Sequence, residues 1–109
     1  MKMLDWKEYA ATTKACLKEE RTSEAQIKIQ EGLEKLPNQV DLLTIATDIF
    51  RASNNREKSL EYAQLLITHH PNNWNGYGRA AQDLAALKRL EEAQIKIQEG
   101  LEKLPNQVD

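Results

Sequence analysis

The side chains of this sequence that are able to do chemistry do not occur in the patterns that catalytic or metal sites need. Cys16 lies on the apolar side of an amphipathic segment with no histidine near it, which favours a buried structural thiol over a nucleophile. His69 and His70 are adjacent, so on a helix they point about 100° apart and lack the i,i+4 spacing of a metal pair. We expect them at a helix end, where positive charge is favourable.

Residues 76–81, GYGRAA, match the dinucleotide-binding pattern G-x-G-x-x-A. That motif needs a preceding strand, whereas here a helical segment, Pro71 and a turn come before it, so we discount it. The carboxylates are scattered over helix faces, and no pair of them indicates a general acid and base. The sequence therefore predicts no enzyme, no cofactor and no metal site.

The composition excludes several classes of partner. Lys+Arg 15 against Asp+Glu 17 gives a net charge of -2, which does not favour nucleic acid or an anionic membrane. No apolar run approaches the roughly 20 residues of a membrane span, and Asp5 and Lys7 interrupt any signal-peptide core. A single cysteine is typical of a reducing compartment, and we expect the cytoplasm.

The elements that position these side chains recur along the chain. The three prolines are 34 residues apart, and each is followed by asparagine; they are Pro37, Pro71 and Pro105. This period divides the single array 1–109 into units at 6–39, 40–73 and 74–107, with a fourth unit beginning at 108–109. Each unit has two segments with helical periodicity, predicted at 6–18, 24–36, 40–52, 57–70, 74–87 and 91–104.

Polar and charged residues mark the predicted helix ends. Ser23 and Asn54/Asn55 supply side-chain acceptors where second helices are expected to begin. Lys35 and Lys103 fall in predicted last turns, where positive charge suits the negative end of the helix dipole.

One segment is repeated without change. Residues 24–41, EAQIKIQEGLEKLPNQVD, recur as 92–109, whereas 5–23 and 73–91 share only three identities. Gradual divergence does not leave 18 identical residues of 18 beside 3 of 19. We interpret residues 42–109 as one 68-residue module that arose by engineering or by recent duplication, and gene conversion in a natural array is the alternative.

The 34-residue helix–turn–helix period resembles the tetratricopeptide repeat (TPR), whose pattern W-x2-L-G-x2-Y…A-x3-F…P can be aligned with all three units. The small position of the second helix falls on Ala25, Ser59 and Ala93, and the closing proline is present three times. The glycine and two aromatic positions depart from the pattern. The resemblance implies an all-α solenoid of six helices in a right-handed superhelix.

The resemblance also implies a concave groove lined by the first helices, able to hold a peptide or protein segment. The groove residues that it implies are Lys7, Lys14, Lys18, Asp48, Arg51, Arg79 and Gln82. TPR domains that grip chaperone tails use a carboxylate clamp, and its positions fall here on Ala10, Lys14, Ile45, Asn75 and Arg79. Only Arg79 keeps the residue type of the family, which argues against chaperone-tail binding.

The last predicted helix carries an apolar face that no later helix of this sequence covers. Because 92–109 equals 24–41, it is able to pack on residues 42–50 of a second copy, by domain swapping or end-to-end stacking. The residues of this predicted self-association face are Ile97, Leu101, Leu104, Leu42 and Phe50. The leading hypothesis is a non-catalytic protein-interaction scaffold, and the alternative is an engineered or truncated building block that self-associates.

Overall fold

The computed structural model describes residues 6–19 and 21–104. Pro105, the predicted start of a fourth unit at 108–109 and residues 1–5 lie outside the described residues. The regular structure of the described ranges is entirely helical. The six helices are α1 (Trp6–Lys18), α2 (Thr22–Lys35), α3 (Val40–Ala52), α4 (Arg56–His69), α5 (Trp74–Ala86) and α6 (Leu90–Lys103).

The helices begin at a constant spacing. The starts of α1, α3 and α5 are 34 residues apart (Trp6, Val40 and Trp74), as are those of α2, α4 and α6. The prediction of six helices is confirmed: α1 and α3 have the predicted bounds, and the other four differ by two residues or fewer. The division into repeat units at 6–39, 40–73 and 74–107 stays a prediction.

The second helices of the three pairs begin in two different ways. Asn55 caps α4 as predicted, because its side chain accepts a hydrogen bond from the Lys58 amide. The prediction for Ser23 is wrong: α2 begins at Thr22, its N-cap is Arg21, and no side-chain oxygen caps it. An ion pair from Arg21 Nη1 to Glu24 Oε2 at 2.9 Å joins this first turn instead.

The start of α6 has the same ion pair. Arg89 precedes the helix and its guanidinium donates to Glu92 in the first turn. That hydrogen bond lowers the pKa of the Glu92 carboxyl and raises the pKa of Arg89. An acidic residue in the first turn is favourable at the positive end of the helix dipole.

The hydrophobic core follows the line of helices rather than a single centre. Each helix packs on the next, and α3 also contacts α1 and α5. One buried cluster joins α1, α2 and α3 through Tyr9, Ile29 and Leu42. A second cluster joins α4, α5 and α6 and contains four alanines among its six buried residues. The principal extents of 45 × 25 × 23 Å describe an elongated array, in which helices at one end have fewer neighbours.

Small residues let the paired helices approach closely. Gly32 of α2 lies against Tyr9 and Leu42, and its counterpart Gly100 of α6 lies against Trp74 and Tyr77. None of the described helices is long and apolar enough to cross a membrane.

Candidate functional site

An open cleft of about 300 Å³ lies between α3 and α5. We call it the polar cleft, and its lining residues are Asp48, Arg51, Trp74, Asn75, Gly78, Arg79 and Gln82. The helical repeat places them together, because Asp48 and Arg51 are one turn apart on α3 and the other five follow one stripe of α5. Four of the seven predicted groove residues meet here: Asp48, Arg51, Arg79 and Gln82.

Arg51 is held from three sides. Its Nε donates to Asp83 Oδ1 at 3.2 Å, and its Nη1 donates to Gln82 Oε1 at 2.8 Å. A longer contact of 3.5 Å joins its Nη2 to the backbone carbonyl of Arg79. Because these contacts tie α3 to α5, the guanidinium is fixed before any ligand arrives.

Arg79 crosses the cleft in the opposite direction. It extends from α5 to α3, where its Nη1 donates to Thr47 Oγ1 at 2.9 Å and to Asp48 Oδ1. Arg79 keeps part of its surface in solvent, and so does Asp48. The cleft therefore presents a preorganised ion pair with donors and acceptors still able to meet a ligand.

Asp83 supports this arrangement from below. Its side chain is fully buried and forms ion pairs with Arg51 and Arg56, each at 3.2 Å. Ser59 also donates its hydroxyl to Asp83 Oδ2 at 2.5 Å. The sequence reasoning missed this group, although an aspartate on the apolar stripe of α5, beside Leu84, was the signal that a buried partner exists.

The chemistry available in the polar cleft is hydrogen bonding and ion pairing. Its lining holds no cysteine, histidine, serine or lysine that would serve as nucleophile or base. The amides of Asn75 and Gln82 each carry both a donor and an acceptor. Such groups are able to pair with the backbone of an extended peptide.

The three lysines of the predicted groove lie elsewhere. Lys7, Lys14 and Lys18 are exposed on α1, which contacts α2 and α3 but not α5. The Lys7 ammonium lies 5.7 Å from the centre of the Trp6 ring. The structure therefore does not bring these lysines into the polar cleft.

A second concavity of about 780 Å³ lies between α5 and α6. We call it the apolar groove. None of its lining side chains is charged; they are Trp74, Gly78, Ala81, Gln82, Ala85, Leu90, Ala93, Gln94, Ile97, Gln98 and Leu101. Leu90 is 62% exposed and was missed by the sequence reasoning, because it lies two residues before the copied segment.

The copied segment allows a comparison at constant sequence. Ile29 of α2 is 0% exposed because α3 packs over it, whereas its twin Ile97 of α6 is 36% exposed. Ile27 and its twin Ile95 are exposed to a similar extent, 57% and 53%. The two helices therefore differ on one face only, the face that α3 covers in the first copy.

The residues of the predicted self-association face are divided between core and surface. Ile97 and Leu101 are exposed on α6, and Leu104 is half-buried. Leu42 is fully buried against α2, and Phe50 stacks on Tyr62 with ring centres 5.5 Å apart. Leu42 is therefore available to a second copy only if α2 leaves α3, and Phe50 only if Tyr62 of α4 moves away from it.

Comparison with known proteins identifies the fold. No family model matches the chain, and no curated protein sequence matches it. Among solved structures, the first TPR domain of Spaghetti (RPAP3) bound to the HSP90 peptide SRMEEVD superposes with a TM-score of 0.78 at 20% identity, over 90% of this chain and 78% of that chain. The fold is that of a TPR domain. The NMR structure of the first TPR domain of human RPAP3 agrees, with a TM-score of 0.78, 20% identity and coverage of 90% and 77%.

The positions that correspond to the carboxylate clamp lie in three different environments. Ala10 and Ile45 are buried in the α1–α2–α3 core, and Lys14 is exposed on α1. Asn75 and Arg79 line the polar cleft, where Arg79 already binds Asp48. Two of the five positions are therefore closed to any ligand. Among the described residues, no three metal-ligating side chains come together, and Cys16 is buried.

Proposed function

We propose that this TPR array is a non-catalytic scaffold that binds an extended peptide of a partner protein in the polar cleft. The observation that carries the proposal is the pair of arginines, Arg51 and Arg79, fixed by acidic partners in an open cleft that the amides of Asn75 and Gln82 also line. Rigid polar groups lose little entropy when a ligand binds them. We place this function in the cytoplasm, as the single buried Cys16 suggests.

The charges of the cleft favour a mainly uncharged or mildly acidic peptide. Arg51, Arg79 and Asp48 are the charged residues that line the cleft, and the buried Asp83 beneath Arg51 is shared with Arg56. Asn75 and Gln82 are placed to pair with peptide amides, and Gly78 leaves room for a side chain beside Trp74.

An acidic chaperone tail is not the ligand that we propose. The RPAP3 domain was solved with the HSP90 peptide SRMEEVD, but likeness at 20% identity shows the fold alone. Here Ile45 and Ala10 are buried where the clamp needs polar side chains. Arg79 would also have to give up Asp48 to bind a carboxylate. The partner is therefore a protein or peptide of different sequence.

We expect peptides selected on this chain to need the cleft amides. Peptides enriched from a displayed library of random 12-residue sequences should bind a N75A/Q82A variant about tenfold or more weakly, because each lost hydrogen bond contributes about 1 kcal/mol. Fluorescence anisotropy measures the affinities. K14A is the matched control, since Lys14 is exposed on α1 outside the cleft. Failure to enrich any peptide, or equal affinity for N75A/Q82A, would contradict the proposal.

A second candidate function is self-association through α6, the behaviour expected of an engineered or truncated repeat unit. The exposed Ile97 and Leu101 favour it, because their twins in α2 are packed against neighbouring helices. End-to-end contact of two such faces would remove apolar surface from water in both copies.

We expect self-association, where it occurs, to depend on the end of α6. An L101E/L104E variant should scatter light as a monomer at concentrations where the unmodified chain forms dimers or larger species, because each glutamate would bury a charge in the contact. A chain that is already monomeric at high concentration would remove this candidate and leave the peptide-binding proposal untouched.

A further inference from the structure

We infer that the apolar groove is a docking site for one amphipathic helix of a partner protein, with the apolar spacing of α3. This inference concerns a different surface from the peptide-binding proposal. The polar cleft opens between α3 and α5, whereas the apolar groove opens between α5 and α6. The two share Trp74, Gly78 and Gln82, but Ile97 and Leu101 line the apolar groove alone.

The first copy of the repeated segment shows which helix covers the corresponding face of α2. In the first copy, α3 packs over α2, so that Ile29 joins Leu42 and Ile49 in one buried cluster. Leu42 also lies against Gly32 of α2. Every residue of α2 from Glu24 onward has an identical counterpart in α6. A helix that offers the apolar face of α3 therefore meets in α6 the side chains that it already fits in α2.

The apolar face of α3 has a definite spacing. Leu42, Ile45, Ala46 and Ile49 lie at positions i, i+3, i+4 and i+7, the spacing of helices that dock in grooves. None of these four residues is charged, and neither is any residue that lines the apolar groove. A charge on this face of a partner helix would lose its water without gaining an opposite charge. The groove thus selects an uncharged apolar face.

One polar contact sets the register. Gln26 of α2 donates from Nε2 to Ser53 Oγ at 2.8 Å, just after the end of α3. Its twin Gln94 lines the apolar groove and has no side-chain hydrogen bond among the described residues. A hydroxyl eleven residues after the first apolar anchor, as Ser53 follows Leu42, would pair with Gln94. The wall of the apolar groove that α5 forms leaves more space than α1 leaves beside α2, because α5 has Gly78 where α1 has Ala10.

The occupant is a partner helix rather than α3 of a second copy. In this chain Leu42 and Ile49 are fully buried, so a second copy must release α1 and α2 before its α3 can dock. That exchange exposes Ile29 and its neighbours in α2 of one copy, and it covers the identical residues of α6 in the other copy. Since equal apolar surfaces are lost and gained, the exchange has no hydrophobic driving force. A partner helix covers α6 without that loss.

The probe for this site is a synthetic peptide of residues 40–55, acetylated and amidated, with a fluorescent label. We expect saturable anisotropy changes on titration with the full chain, at concentrations where light scattering shows a monomer. A helix of this length is marginal alone, so the peptide should gain helical circular dichroism on binding. The I97E variant should bind about tenfold or more weakly, because the glutamate would be buried in the groove.

The matched control is I95E, the same substitution two residues away on the exposed face of α6. Its affinity should equal that of the unmodified chain, and a peptide with glutamate at Leu42 and Ile49 should not bind. Absence of saturable binding, or equal binding by I97E and the unmodified chain, would overturn the inference. The inference would also be overturned if the unmodified chain is a dimer and I97E converts it to a monomer. A second copy would then be the occupant of the groove. Asn75 lines the polar cleft but not the apolar groove, so the single variant N75A tests the polar cleft separately.

Discussion

Replacement of Asp83 by asparagine is expected to lower the free energy of unfolding by about 3 kcal/mol. The carboxylate is fully buried and compensates two guanidinium groups, Arg51 and Arg56. Removing one member of a buried ion pair leaves the partners without compensation, which costs about 3 to 5 kcal/mol. The lower end applies here because both arginines are partly exposed and can turn toward water.

Chemical denaturation of the D83N variant measures this loss. D41N is the control with the same change of side chain, because Asp41 is exposed and its side chain accepts only a 3.3 Å bond from Gln39. It should change stability by less than about 0.5 kcal/mol. S59A should fall between the two, since it removes the hydroxyl that donates to Asp83. A D83N stability equal to that of D41N would mean that the ion-pair network does not hold α3, α4 and α5 together.

Replacement of Gly76 by alanine is expected to destabilise the fold by about 2 kcal/mol. A Cβ there would lie 2.9 Å from Ile67 Cγ1 and 3.0 Å from the Ile67 backbone nitrogen. Because backbone cannot rotate away, α5 would have to move from α4. Alanine is the better helix former by about 1 kcal/mol, but the contact outweighs that gain.

Gly78, two residues along the same helix, is the matched control. A Cβ at Gly78 meets only the side chain of Trp74, with a closest distance of 3.1 Å to Nε1. G78A should therefore be neutral or stabilising by up to about 1 kcal/mol, through helix propensity alone. Thermal or urea unfolding of the two variants decides the matter. Equal stability of G76A and G78A would contradict the close packing of α4 on α5 at Gly76.

The positions of the helices could be predicted because they depend on local signals. The prolines, the apolar periodicity and the Asn55 cap fixed five starts within one residue. The error at Ser23 has a physical cause. The α2 start has no side-chain cap, and the Arg21–Glu24 ion pair lies across its first turn instead. A serine near a helix start is an acceptor only if the helix begins after it.

The burial of a residue could not be predicted from its neighbours in sequence. Ile29 and Ile97 have identical flanking residues, yet one is buried and the other is exposed. Burial depends on the next helix along the array, which only the three-dimensional arrangement supplies. The exposure of Ile97 and Leu101 on α6 depends in the same way on repeat order rather than on local pattern.

The candidate site was predictable only in part for a similar reason. Repeat register assigned Arg51, Arg79 and Gln82 to one groove, and the structure places them together. Register alone also assigned Lys7, but α1 does not contact α5. The role of Asp83 depends on arginines from two other helices, and no spacing within α5 encodes them.

The most direct test compares twin residues in one titration. The central claim is that the same twelve residues form part of a core helix at 24–35 and a binding surface at 92–103. Nuclear magnetic resonance of the ¹⁵N-labelled chain, titrated with the peptide of residues 40–55, resolves the two copies separately. We predict amide shift changes at Gln94 and Ile97, with their twins Gln26 and Ile29 unchanged. Equal changes in both copies, or changes confined to Gln26 and Ile29, would contradict the claim.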